Sequence, residues 1–232
     1  MEFFRQLWEV GTYLPMLLRA STVNLELLGA LLVIGFLMGT LVALLQVYGG
    51  RLLGTVAYVY EWVFRSVPAL VLLFLFYFGP SEFGWYISPF LAASLALGLR
   101  SSAYQSQIFR GAIQAIPTGQ MLAARALGMS RVRAILHVIL PQAFRLAIPG
   151  WSNEFSSVVK DTTLAYVVSL NEIMRYAKII MDRRYELAMA TFIMVALVFL
   201  FFTYSGNWLL GQMERRFRIP GLQMPGASST VL

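Results

Sequence analysis

Residues 153–161 read NEFSSVVKD, and in a chain as apolar as this one those polar groups are the first place to look for chemistry. On a helix, Glu154, Ser157 and Asp161 fall within about 100° of one another and face one cavity. Asn153 and Lys160 flank them, and Arg100 and Tyr104 stand one helical turn apart earlier in the chain. A carboxylate inside a bilayer costs about 3 kcal/mol unless it is paired or hydrated, so intramembrane ionisable residues are functional candidates by default. The chemistry on offer is binding: Glu154 and Asn153 would receive an ammonium or another cationic group. Arg100, and with it Arg65, would meet a ligand carboxylate, although the favoured expectation for Arg65 is that it snorkels to an interface. The competing expectation is structural, with Glu154 paired to Arg100 and Lys160 paired to Asp161.

A second polar stretch, residues 119–143 (GQMLAARALGMSRVRAILHVILPQA), interrupts the apolar chain with three arginines. It reads as two short helices joined by a glycine. Thr118 follows Pro117 and is expected to cap the first helix, over 120–127, with Gly128 in the left-handed position after its last turn. Ser130 is expected to cap the second helix, and Pro141 to end it near Leu140. There Val132, Ile135, Leu136 and Ile139 form an apolar stripe at i, i+3, i+4 and i+7. Ala123, Ala124 and Ala126 give the first helix a small-residue face on which a partner's groove would close. An ordinary amphipathic loop resting on the membrane surface has the same signature.

These groups must be positioned by membrane-spanning elements. The 232 residues are 59% hydrophobic and 12% charged, and the apolar residues come in runs. Residues 29–48 hold no charge in 20 positions and residues 187–211 none in 25. About 20 apolar residues cross a bilayer as helix. Three further crossings carry polar residues, and the expected set is 27–48, 54–78, 87–108, 147–170 and 187–210. Within the second, Glu61 and Arg65 stand i,i+4 and are expected to pair. The organisation expected is an N-terminal interfacial segment (1–20), a transmembrane domain (21–211) containing the polar loop at about 111–145, and a tail (212–232) whose residues 221–232 lack fixed structure.

Five crossings put the ends on opposite sides. Nine basic residues (Arg51, Arg110, Arg125, Arg131, Arg133, Arg145, Arg215, Arg216 and Arg218) fall on one side and six on the other. The positive-inside rule therefore makes the polar loop and C-terminus cytoplasmic and the N-terminus external. Glu2, Arg5, Glu9 and Arg19 would interrupt the apolar core of a signal peptide, so none is expected, and Phe3, Phe4, Leu7, Trp8 and Leu14 suggest an interfacial helix. Cysteine is absent, so there is no disulfide framework. The net charge of +7 points to lipid, since no soluble basic face for nucleic acid is visible.

Ala123-Ala124, Gly128, Val138 and Leu140-Pro141 are spaced as Ala-Ala, three residues, Gly, nine residues, an aliphatic residue, any residue, Leu-Pro. This resembles the coupling-loop signature of the membrane subunits of bacterial and archaeal ABC importers. RSVPALV (65–71), AYQSQIFRGAIQAIPTGQ (103–120), LPQAFRLAIPGWSNEF (140–155) and KDTTLAYV (160–167) are similar, in order, to blocks of the polar amino-acid permease branch. The resemblance spans roughly residues 20–210. It implies the all-α transmembrane domain of a type I importer in a plasma (inner) membrane. It also implies a second membrane subunit, two ATP-binding subunits that hold ATP and Mg, and an extracytoplasmic solute-binding protein. Leu122, Ala123, Ala124, Gly128 and Pro141 would then contact or shape the ATPase interface, and the polar residues of 153–161 would favour arginine, lysine or histidine.

Two positions depart from the pattern: Leu122 and Gln107 stand where the family commonly has Glu. A second, non-identical membrane subunit that supplies the missing glutamate is one consequence. No Gly-x4-Gly-Lys-Ser/Thr loop occurs, so ATP chemistry is not expected on this chain. The rival reading is a secondary transporter driven by an ion gradient, which would be expected to carry repeated halves and paired broken helices. No repeat between halves is visible. A membrane scaffold without transport is opposed by the polar fourth crossing.

Overall fold

The computed structural model describes residues 1–217, which form helices and their connections; residues 218–232, including the expected unstructured tail segment, lie outside the described residues. A short amphipathic helix, α1 (Glu2–Gly11), leads into α2 (Leu14–Tyr48), α3 (Gly50–Ser66), α4 (Ala69–Phe78), α5 (Pro89–Gln114) and α6 (Thr118–Ala126). Then come α7 (Arg131–Ala134), α8 (Leu140–Asp161), α9 (Ile173–Arg183) and α10 (Ala188–Phe217), with 3-10 turns at Gly79–Phe83, Thr162–Val168 and Tyr185–Leu187. Helix α1 buries Val10 and leaves Phe4 and Trp8 exposed.

Among the described residues three helical stretches are long and apolar enough to cross a membrane, or four if α3 and α4 make one crossing. The expected second span, 54–78, is not one straight helix. It bends by 103° between α3 and α4. Pro68 explains the bend: it forces Val67 into extended backbone (φ −78°, ψ 130°), which a helix cannot contain. The helical stretch that holds the expected fourth span begins at Arg131, earlier than expected, and the one that holds the first begins at Leu14. Helix α5 is less apolar than these because it carries small and polar residues, Ser94, Ser101, Ser102, Gln105 and Ser106 among them, and those are buried inside the bundle.

Buried apolar residues form two clusters. One joins Leu27, Leu28 and Leu31 of α2 to Ala93, Ala96 and Leu97 of α5 and Val158 and Val159 of α8. The other joins Ala43 of α2 to Phe109, Ala112 and Ile113 of α5 and Ala143, Leu146 and Ala147 of α8. Between them, on the same three helices, lie Gly35 and Gly39, then residues 98–106, then residues 150–157. The middle of the bundle is therefore a polar layer held between two apolar ends. Close approach there depends on glycine: a Cβ at Gly39 would sit 2.9 Å from the Ser102 carbonyl.

At the first cluster's end a buried clasp ties three elements. Asn24 Nδ2 donates to Glu172 (2.9 Å) and Thr162 (3.1 Å), while Asn24 Oδ1 accepts from the Ile173 N–H (3.1 Å). Glu172 in turn caps α9 by accepting from the Arg175 N–H.

Pro141 does not end the second hairpin helix. Residues Ile135–Ile139 widen into a π-helical turn, in which the Leu140 N–H reaches Ile135 O, five residues back. The wider turn absorbs the proline, and Gln142 Nε2 donates to the Val138 carbonyl at 2.7 Å. Helix thus runs without a break from Arg131 to Asp161, with Pro149 inside it.

Candidate functional site

Arg100 and Tyr104 from α5 meet Glu154, Ser157, Lys160 and Asp161 from α8 around a cavity of about 280 Å³. Five of these six were expected from sequence, and Lys160, read as a flanking residue, joins the lining. Asn153 is exposed and lies outside the lining. Arg100 Nη1 bonds Asp161 Oδ2 at 2.7 Å, so neither expected structural pair, Glu154 with Arg100 or Lys160 with Asp161, is made among the described residues. Glu154 instead accepts a hydrogen bond from Ser101 Oγ at 2.8 Å. It has no cation within 4 Å among the described residues.

Tyr104 is held between two guanidinium groups, Arg100 at 4.9 Å and Arg65 at 5.2 Å from its ring centre. Arg65 also makes the expected i,i+4 pair with Glu61, at 2.6 Å. Glu61 is buried and takes a second bond from Gln46 Nε2 at 3.2 Å. A larger groove of about 630 Å³ between the start of α2 and α9 is mostly apolar, with Arg19 its one charged lining residue. The converging polar groups are in the smaller one.

In the hairpin, α6 starts at Thr118 but carries no side-chain cap; Pro117 occupies that position, one residue before the expected cap. Gly128 has φ +83°, the left-handed conformation expected there. Met129 N–H bonds Ala124 O and Gly128 N–H bonds Arg125 O, the paired bonds of a Schellman ending. Ser130 caps the second helix through the Arg133 N–H, as expected. Ala124 is buried within the chain, while Ala123 and Pro141 are exposed. The expected apolar stripe is split: Ile139 is buried, but Val132 and Leu136 are exposed. With Leu122 (68% exposed) and Leu127 (82% exposed) they leave four large aliphatic side chains uncovered on one short hairpin.

Most of the chain matches known proteins. A family described as the inner membrane component of binding-protein-dependent transport systems matches residues 32–219. The chain belongs to that family. The nopaline transport system permease protein NocM of Agrobacterium fabrum is 36% identical over 200 residues, covering 82% of this chain and 83% of its own. The arginine ABC transporter permease protein ArtM of Haemophilus influenzae is 32% identical over 213 residues, covering 88% and 93%. A crystal structure of an amino acid ABC transporter with histidines superposes with a TM-score of 0.80 at 34% identity, over 90% of this chain and 98% of that one. A methionine ABC transporter, MetNI, shares the fold at 20% identity and a TM-score of 0.72. This permease subunit is thus an all-helical transmembrane domain of the type I importer kind, as its sequence implied.

Sequence reasoning missed Ser101, Gln105 and Trp151, which bond one another and Glu154. The signal available was the i,i+4 spacing of Ser101 and Gln105 in SSAYQSQ, but nothing in it said which helix they would face.

Proposed function

We propose that this permease subunit passes amino acids bearing a second cationic group, with the α5–α8 cavity as their transient site. The observation that carries the reading is Glu154, a cavity-lining carboxylate whose protein partner is a serine hydroxyl and not a cation. The Arg100–Asp161 pair beside it offers both signs of charge for an amino acid's own carboxylate and ammonium. Nopaline and arginine in the names of its relatives agree with this choice.

Movement through the bundle is driven from outside this chain. Two ATP-binding subunits carry ATP and Mg and grip the hairpin through Leu122, Ala123, Leu127, the turn at Gly128 and the exposed Pro141, with Ala124 shaping that surface from within. A second membrane subunit completes the pathway, and an extracytoplasmic solute-binding protein delivers the amino acid. The hairpin and C-terminus face the cytoplasm, and the N-terminus faces outward across the inner membrane. The uncovered leucines of the hairpin support this arrangement, because clustered exposed apolar side chains mark surfaces that a partner or membrane covers.

The test is uptake by proteoliposomes holding the complete transporter, with L-arginine and L-glutamine as probes. Glu154→Gln is expected to raise the KM for arginine about tenfold, the loss of one charge-assisted contact, with glutamine changed less than about twofold. Uptake driven by a sodium or proton gradient without ATP would defeat the reading.

A further inference from the structure

The polar layer contains a chain of hydrogen bonds that ends at the cavity but is buried for most of its length. Trp151 Nε1 donates to Gln105 Oε1 at 2.8 Å. Gln105 Nε2 donates to Ser101 Oγ at 3.1 Å, and Ser101 Oγ donates to Glu154 Oε1 at 2.8 Å. Gln105 is fully buried and Ser101 nearly so. The four residues form two rungs between facing helices, 101 and 105 on α5, 151 and 154 on α8.

The direction of this chain is fixed at one end. An indole N–H can only donate, so Gln105 must present its carbonyl oxygen to Trp151 and its NH2 to Ser101. That NH2 fills one lone pair of the serine oxygen and leaves the single hydroxyl proton for Glu154. Neighbouring serines show what happens without such direction. Ser102 and Ser106 both turn back on their own helix, donating to the carbonyls of Leu99 and Ala103 at 2.7 Å. Ser101 departs from that habit only because Gln105 and Glu154 engage it. The space for the Gln105 amide comes from Gly35, where a Cβ would lie 2.0 Å from Gln105 Nε2.

We infer that Trp151, Gln105 and Ser101 are positioning residues that aim a donor at Glu154, hold its carboxylate in place as an acceptor, and so set the preference of the cavity for a cationic ligand group over a neutral amide. This rests on the reading of the cavity given above. The other charged groups around Glu154 are Arg100 and Asp161, bonded to each other, and Lys160 on its own helix; Tyr104 faces it from α5. Among the described residues none of their side chains is hydrogen-bonded to Trp151, Gln105 or Ser101, so the relay is a separate control on the same carboxylate.

Uptake by proteoliposomes of the complete transporter tests it, with L-arginine and L-glutamine as probes and Trp151→Phe, Gln105→Leu and Gly35→Ala as variants. Trp151→Phe keeps an apolar ring and removes the donor. Gly35→Ala adds one methyl whose first obstacle is the flexible end of Gln105, so the helices stay packed while the amide is displaced. Each variant is expected to raise the KM for arginine about fivefold, with turnover and glutamine uptake within about twofold of the parent. In a Glu154→Gln background the same changes are expected to have no further effect on arginine, as required of residues acting through that carboxylate. If Glu154→Gln raises the arginine KM but Trp151→Phe and Gly35→Ala do not, the relay is overturned and the cavity stands. A loss of turnover for both substrates, additive with Glu154→Gln, makes the three residues structural and overturns it too. If Glu154→Gln itself fails to separate arginine from glutamine, the cavity reading falls and the relay with it.

Discussion

The hairpin and the polar layer invert the ordinary rule of burial in opposite ways. On the hairpin, Leu122, Leu127, Val132 and Leu136 stand exposed where polar side chains belong. In the layer, Ser101, Ser102, Gln105 and Ser106 are buried where apolar side chains belong. The described residues leave the hairpin's misfit, four aliphatic side chains, uncovered. The layer relieves most of its own, since hydroxyls and amides find partners within about 3 Å. The difference separates two kinds of recognition. A surface meant for another protein is kept apolar and simple. A site meant for a small polar solute is built from donors and acceptors whose directions are set in advance.

The largest expected effect is on the hairpin. Leu122→Asp with Leu127→Asp should abolish ATP-driven uptake while thermal unfolding of the isolated chain shifts by less than about 2 °C, because neither side chain packs against the bundle. A large drop in unfolding temperature would mean these leucines serve the fold, and the contrast would be gone. A smaller effect is expected in the layer. Asp161→Ala leaves Arg100 without its carboxylate where both side chains are about three-quarters buried (23% and 29% exposed), which should lower stability by about 1–3 kcal/mol in a denaturation series. An unchanged midpoint would show the pair to be solvated.

The smallest expected effect lies at neither region. Arg184 pairs with Glu9 at 2.7 Å and with Glu186 in the exposed turn before α10. Its guanidinium holds the Glu186 carboxyl below the usual range. A carboxylate whose folded value is depressed adds stability above its unfolded value, near pH 4.3, and loses that contribution as pH falls through the lower folded value. Both groups are open to water, so Glu186→Gln should leave the unfolding temperature within about 1 °C at pH 7, and acid should erase even that difference.

What could be read before the fold was known divides along the range of the interaction. Gly128, the Ser130 cap and the Glu61–Arg65 pair depend on neighbours within one turn, and their spacing was enough. The face carrying Glu154, Ser157 and Asp161 followed from helical period alone. The break at Pro68 was also local, yet an apolar count across 54–78 concealed it. Pro141 shows the limit of local rules. A proline ends a helix or is absorbed according to whether the preceding turn can widen, and here it widens. The partner of Arg100 and the four-residue relay required the pairing of α5 with α8, which no periodicity specifies. Asn153 was drawn into the candidate site by its neighbour in sequence, although one residue's rotation on a helix is about 100° and takes it out of the cavity.

The unbroken helix from Arg131 to Asp161 ties these two regions into a single rod. Glu154 lies fifteen residues beyond Ile139, about 22 Å along the axis at the usual rise per residue. A tilt of about 5° applied at the hairpin would therefore carry that carboxylate sideways by about 2 Å, enough to make or lose a hydrogen bond. No break in the helix stands between the hairpin and Glu154, so on the function proposed above a small rotation at one end is read at the other as an opened or closed grip.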